Sequence, residues 1–278
     1  MRNDKIGSMA VALAAMAVAL VAGPRHGEAT LRYPWRAEAA TKMTLAERVP
    51  PPAGFDRLPA GPGSFAEWLR GLPVTAEGTP VRLYDGRPKW NQGLHVAVID
   101  IDTGARNLQQ CADAIMRLRA EYFLGSGRAR EIGFNATDGK RMSFKGSAED
   151  YRGFRRYMDR VFVYAGSYSL EREMRTVPPA DMQIGDVFIK GGFPGHAVLV
   201  VDMAVDASRG EKRFLLMQSF MPAQDMHVLK NPRSQDGTPW YAIPAAGQQL
   251  ITPEWIFAAE QLRRFKNEPL HGQSFLSR

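Results

Sequence analysis

Ile184-Gly185-Asp186-Val187-Phe188-Ile189-Lys190, Gly191-Gly192-Phe193-Pro194-Gly195 and His196-Ala197-Val198-Leu199-Val200-Val201-Asp202 follow one another and together decide the fold. Two apolar, β-branched runs flank a turn of glycine and proline. A second turn around Ser208-Arg209-Gly210 leads into a third run, Arg213-Phe214-Leu215-Leu216-Met217-Gln218-Ser219. Runs of this kind bounded by glycine and proline read as strands, and short turns between consecutive strands make antiparallel neighbours. The prediction is an antiparallel meander. Paired about the turn near residue 208, positions whose numbers sum to roughly 414 face each other, which sets Gln218 opposite His196.

Upstream, Leu108, Cys111, Ile115, Leu118 and Tyr122 recur at steps of three and four, the spacing of one helix face. With Asn107 as the expected N-cap, Cys111 falls in the first turn or just beyond it, on the inward face. Strands are predicted at Val81–Tyr84 and His95–Asp102, and a hairpin from Glu131–Asn135 and Met142–Lys145 about Asp138-Gly139. A helix is expected over Tyr151–Tyr164, and Pro178-Pro179 breaks the chain after it. Gln248 to Arg264, with Trp255, Ile256, Ala259 and Leu262 spaced for one face, reads as a closing helix. No fixed-period repeat is present.

At the other end, Met1-Arg2-Asn3-Asp4-Lys5 precedes the uncharged run Ile6–Gly23, the pattern of a secretory signal over residues 1–29. Cleavage after Ala29, cleavage after Gly23 and retention as a membrane anchor all fit. The expected location is therefore the periplasm or cell envelope. Residues 30–63 hold Val49-Pro50-Pro51-Pro52-Ala53-Gly54 and Leu58-Pro59-Ala60-Gly61-Pro62-Gly63, the composition of an arm or linker. Ser64 and Glu67 then form a capping-box pair ahead of Phe65, Trp68, Leu69 and Leu72, so a single α+β domain is expected over 64–278.

The chain has 278 residues and a formal charge of +7, spread over Arg82, Lys89, Arg117, Arg128, Arg155, Arg156, Lys212 and Arg263 without a dense basic run. This is a solvated basic surface, with no nucleic-acid partner expected. One cysteine forbids an internal disulfide, so an exported chain must draw its stability from its core and the odd thiol calls for another explanation.

A cysteine nucleophile acts as the thiolate, and a helix N-terminus beside an imidazole lowers the thiol pKa. Cys111 is placed to receive the first effect, and His196, opening a strand after Gly195, is the candidate for the second. Gln218 is positioned to fix the imidazole tautomer, and the amides of Asn107, Gln109 and Gln110 are candidate donors to an oxyanion. The competing reading makes Cys111 and His196 satisfied core residues. His95 with Asp100 and Asp102 lacks a metal-site pattern, so no metal or cofactor is expected. His227 competes with Gln218 for the third role but also fits an ordinary strand residue. Asp186 reads as a turn cap, and Gly191-Gly192 lacks the lysine of a phosphate loop.

Cys111-Ala112-Asp113, Gly185-Asp186-Val187-Phe188 and Gly195-His196-Ala197-Val198-Leu199-Val200, in that order, resemble the circularly permuted papain-like superfamily of NlpC-type and CHAP-type peptidoglycan hydrolases. The resemblance implies a papain-like α+β core with Cys111 as nucleophile, His196 as general base and Gln218 as orienting residue. It also implies a peptide or peptidoglycan-like substrate. The spacing from Cys111 to His196 is longer than is usual for NlpC-type domains, and Gln is an uncommon third member. From Phe55 to Phe265 the chain also resembles an uncharacterised family of exported bacterial proteins, through Leu108-Gln109-Gln110-Cys111-Ala112-Asp113-Ala114 and Met221-Pro222-Ala223-Gln224-Asp225. The expected function is an exported cysteine peptidase or amidase. A non-catalytic envelope-binding module and a thiol-dependent acyltransferase are the alternatives.

Overall fold

The computed structural model describes residues 32–36, 43–147 and 149–268, and the export-signal reading of residues 1–29 lies outside them. In chain order the helices are α1 (Leu45–Arg48), α2 (Phe65–Arg70), α3 (Cys111–Gly125), α4 (Tyr151–Tyr164) and α5 (Ser167–Glu173). The strands are β1 (Asp56–Arg57), β2 (His95–Val98), β3 (Gly133–Asn135), β4 (Arg141–Ser143), β5 (Met174–Thr176), β6 (Val187–Lys190) and β7 (His196–Asp206). They continue with β8 (Glu211–Gln218), β9 (His227–Leu229), β10 (Tyr241–Ala242), β11 (Gln249–Ile251), β12 (Ile256–Ala258) and β13 (Leu262–Phe265).

The meander forms as its turns dictate. β6, β7 and β8 lie side by side, antiparallel, within a sheet of order β2-β9-β8-β7-β6-β13-β5. β7 is its axis, with ten of its eleven residues buried, so its run of apolar side chains is covered on both faces. Its first half pairs with β6, and beyond the end of β6 the same edge takes β1, through Asp56 and Arg57 opposite Val205 and Ala204. The class is therefore α+β, with helices packed on a large antiparallel sheet.

Toward the His196 end the β7–β8 register differs from the expected one by two. Leu199 faces Met217 and Val200 faces Leu216, with an irregularity between Val200 and Asp202. At the His196 end the offset is even, so Gln218 stays on the side of the sheet that carries His196 and meets it diagonally, whereas from Asp202 to Asp206 the irregularity makes the offset three.

Two expectations are corrected. The proline-rich stretch within 30–63 is not a free arm from residue 43 onward, because Leu45 and Val49 are buried and β1 joins the sheet. Arg57 and Arg70 both bind the buried Asp202 carboxylate (2.7 and 2.6 Å), which ties this stretch to β7. Ser64 does cap α2, accepting the Glu67 N–H at 3.1 Å, while Glu67 reaches back to the Gly63 N–H. The predicted closing helix over 248–264 is instead strands β11, β12 and β13 joined by a 3-10 turn. Phe257 is buried between exposed Ile256 and Ala258, a period of two that overrides the apparent helical spacing. β13 then enters the sheet between β6 and β5.

Asp186 is more than a turn cap. Its carboxylate takes Arg264 Nε and Nη2 (2.6 and 2.7 Å) out of water, and also the Gln183 N–H (2.8 Å), and so locks β13 beside β6. Removing one partner of a buried pair strands the other charge, at a cost of about 3–5 kcal/mol, whereas replacing both by apolar groups is often neutral. Asp186→Ala is expected to lower unfolding stability in urea by about 3–5 kcal/mol, and the double change Asp186→Leu with Arg264→Met to recover most of it.

Candidate functional site

α3 begins at Cys111 itself, with Gln110 as its N-cap, so the predicted cap Asn107 lies one turn too early. Asn107 instead accepts the Ala223 N–H (2.7 Å), and Ser219 Oγ donates to Gln109 O (3.2 Å). Both bonds tie the start of the helix to the segment that follows β8. The Cys111 thiol consequently rests where the backbone N–H groups of Ala197, Ala112 and Cys111 reach it. Ala197 is the residue after His196.

His196 is fully buried at the start of β7, opposite Lys190 on β6. Gly195 permits the turn that delivers it, since an added Cβ would collide with Ser167 Oγ and sit 2.7 Å from Lys190 O. The imidazole lies among aromatic rings, 4.9 Å from Phe220, 5.3 Å from Trp255 and 5.9 Å from Phe257 by centroid.

Its polar contacts run in one direction. His196 Nε2 and Gln218 Oε1 are 3.0 Å apart. Gln218 Nε2 donates to Glu254 Oε2 (2.6 Å), and the same oxygen takes Lys89 Nζ (2.5 Å). A carboxylate can only accept, so the Gln218 amide must turn its nitrogen to Glu254 and its oxygen to His196. An amide oxygen can only accept, so His196 carries its proton on Nε2. That leaves Nδ1 as a buried lone pair, and Nδ1 has no hydrogen-bond partner.

His227 completes the cluster. Its Nδ1 lies 2.8 Å from the Asp225 carbonyl and must be protonated, which leaves Nε2 as an acceptor 3.4 Å from Gln218 Nε2. The second amide hydrogen of Gln218 is thereby placed. His95 packs edge-on against His227 (6.0 Å) and binds the Thr79 carbonyl.

The structure thus brings together His196, Gln218 and His227, and sets Cys111 against the neighbouring backbone. No hydrogen bond joins the thiol to the imidazole. Of the three amides expected near the thiol, Gln109 has its oxygen fixed by Arg117 Nη1 (2.9 Å) and its buried Nε2 without a partner. Asn107 and Gln110 bind each other (3.2 Å) at the surface.

Electrostatics reverse one expectation. Burial pushes the Cys111 thiol up to about 11, assisted by Asp113, and the three backbone N–H groups do not offset it. Burial likewise lowers His196 to about 4 and His227 to about 3. At neutral pH the thiol is protonated and the imidazole neutral, so the two do not rest as an ion pair. Asp113, whose carboxyl accepts the Gln110 N–H, is raised by burial to about 8 and is protonated as well.

Residues 45–153 and 144–264 match the family described as a domain of unknown function (4846). The chain belongs to that family. No curated protein and no solved structure matches it. In this member of the 4846 family the residues that sequence reasoning missed are Lys89, Glu254 and Asp113. Lys89 and Glu254 lie in loops without periodicity and are 165 positions apart, so nothing local announces their pairing. Asp113 signalled itself only as a carboxylate two places after the cysteine.

Both histidines bind protons more weakly folded than unfolded, so the unfolded chain takes up more protons below about pH 6.5 and stability falls as the pH drops from there towards 4. Asp113 acts oppositely, its contribution being lost as pH rises from about 4 to 8. His227→Gln is expected to reduce the slope of unfolding free energy between pH 4 and 6 by about 1.4 kcal/mol per pH unit, measured by urea unfolding at stepped pH.

Proposed function

We propose that this chain is an exported cysteine hydrolase of the cell envelope, a peptidase or amidase on a permuted papain-like core, acting on the peptide stems of wall polymers. The observation that carries the reading is His196: its Nε2–H is held by Gln218, its Nδ1 lone pair is free, and the next residue's N–H meets the lone cysteine at a helix start.

In this mechanism His196 Nδ1 removes the proton from the Cys111 thiol as sulfur attacks the amide carbonyl, so the nucleophile is made on demand rather than stored as thiolate. Catalytic contacts of this kind tighten when substrate closes the site. Gln109 Nε2 and the first N–H groups of α3 are the donors for the oxyanion. The imidazolium passes its proton to the leaving amine, and water then resolves the thioester.

A second reading draws on the raised thiol and the burial of His196: the fold binds wall fragments without cutting them. A third, acyl transfer, uses the same thioester with a different acceptor. Stem peptides and muropeptides incubated with the wild-type chain are expected to yield new amine and carboxyl ends by mass spectrometry. Cys111→Ala and His196→Ala should each lower the rate by a factor of about 10³ or more. No products, with equal fragment binding by wild type and Cys111→Ala, establishes the binding reading instead. A stable acyl adduct on Cys111 released only to an added nucleophile establishes transfer.

A further inference from the structure

A second site lies away from the thiol. The end of β4 and the loop after it, residues 143–146, face the first turns of α4 across a cleft of about 500 Å³. Its lining holds Lys145, Arg156 and Arg160, all exposed, over a floor that includes the buried rings of Phe144 and Tyr157. The Tyr157 hydroxyl donates to the Met142 carbonyl (3.0 Å), so its proton is already engaged and the floor carries no anionic group.

Neighbouring acids are engaged elsewhere, and Glu149, beside the lining, interacts with Ser147. Asp159 binds Arg106 (2.6 Å), Glu173 binds Arg141 (2.6 Å), and Asp102 binds Arg117 and Arg155 (3.2 and 3.0 Å). The one carboxylate in the lining, Asp150, caps α4 by accepting the Gly153 N–H (2.7 Å). Lys145, Arg156 and Arg160 have no ion-pair partner among the described residues. Three cations at one concavity repel one another, and a fold keeps them together at least cost when an anion sits between them. Arg156 and Arg160 are one helical turn apart, and guanidinium groups so spaced suit the oxygens of a phosphoryl group, which they bind bidentately. The volume lies within the range of small-molecule sites.

We infer that this cleft binds a phosphoryl group, presented either by a free phosphorylated molecule or by a phospholipid headgroup. The inference does not depend on the thiol being catalytic.

Titration calorimetry of the full chain with inorganic pyrophosphate at 0.1 M salt is expected to give saturable binding of one ion per chain. Arg156→Glu should weaken it at least tenfold and the double change Arg156→Glu with Arg160→Glu should abolish it. Arg152→Glu, an exposed arginine of the same helix outside the cleft, should change it less than twofold. Failure of pyrophosphate to bind, or equal weakening by Arg152→Glu, overturns the inference. Vesicles of phosphatidylglycerol distinguish the sources. Co-sedimentation that pyrophosphate competes away and the double variant lacks identifies a headgroup ligand. Pyrophosphate binding without vesicle binding identifies a free one.

Discussion

Burial of the His196 imidazole at the head of β7 is the constraint on which the site depends. A ring nitrogen removed from water needs a partner, and the price of leaving one unpaired is of the order of 1–3 kcal/mol. Gln218 supplies the partner, but an amide has two faces and would serve either tautomer. The choice is made farther out, where Glu254 accepts from both the Gln218 amide and the Lys89 ammonium. A salt bridge between two loops thus sets the position of one proton inside the sheet, and Nδ1 is left unpartnered.

The same logic of burial shapes the rest of the molecule. α3 is buried from Cys111 to Leu124, charged residues included, so its polar side chains must be satisfied inside. Arg117 does this by binding Glu121, Gln109, Tyr151 and Asp102, and Glu121 also accepts the Tyr151 hydroxyl. Arg119 lies over the rings of Phe65, Phe123 and Phe265. These contacts hold the helix from several sides and fix where its first residue, the cysteine, comes to rest. Low dielectric then raises the thiol and depresses the imidazole, which makes the pair neutral at rest.

Much of this was legible in the chain, and for identifiable reasons. The meander, α3 and α4 follow from periodicity and from turn residues, which are local signals. His196 and Gln218 could be brought together because hairpin arithmetic preserves the face even when the register is off by two. Residues 248–264 misled because Trp255, Ile256, Ala259 and Leu262 satisfy a helical spacing, while the burial of Phe257 between exposed neighbours becomes visible only in the fold. Arg117 reads as part of a solvated basic surface in sequence, and only its burial with Glu121 and Tyr151 shows otherwise. Lys89 and Glu254 carry no pattern at all, since their meeting is purely tertiary. The thiol's pKa was misjudged because a helix start is a local feature and desolvation is not.

The network of Lys89, Glu254 and Gln218 holds His196 neutral with its proton on Nε2 and Nδ1 free. Nitrogen-15 NMR of the histidine side chains, with His196 assigned by comparison with His196→Gln, reads this directly. A protonated Nε2 and an unprotonated Nδ1 are expected at pH 7, persisting down to about pH 5, given the depressed His196 value of about 4. An Nδ1-protonated ring, or an imidazolium at pH 7, contradicts that assignment.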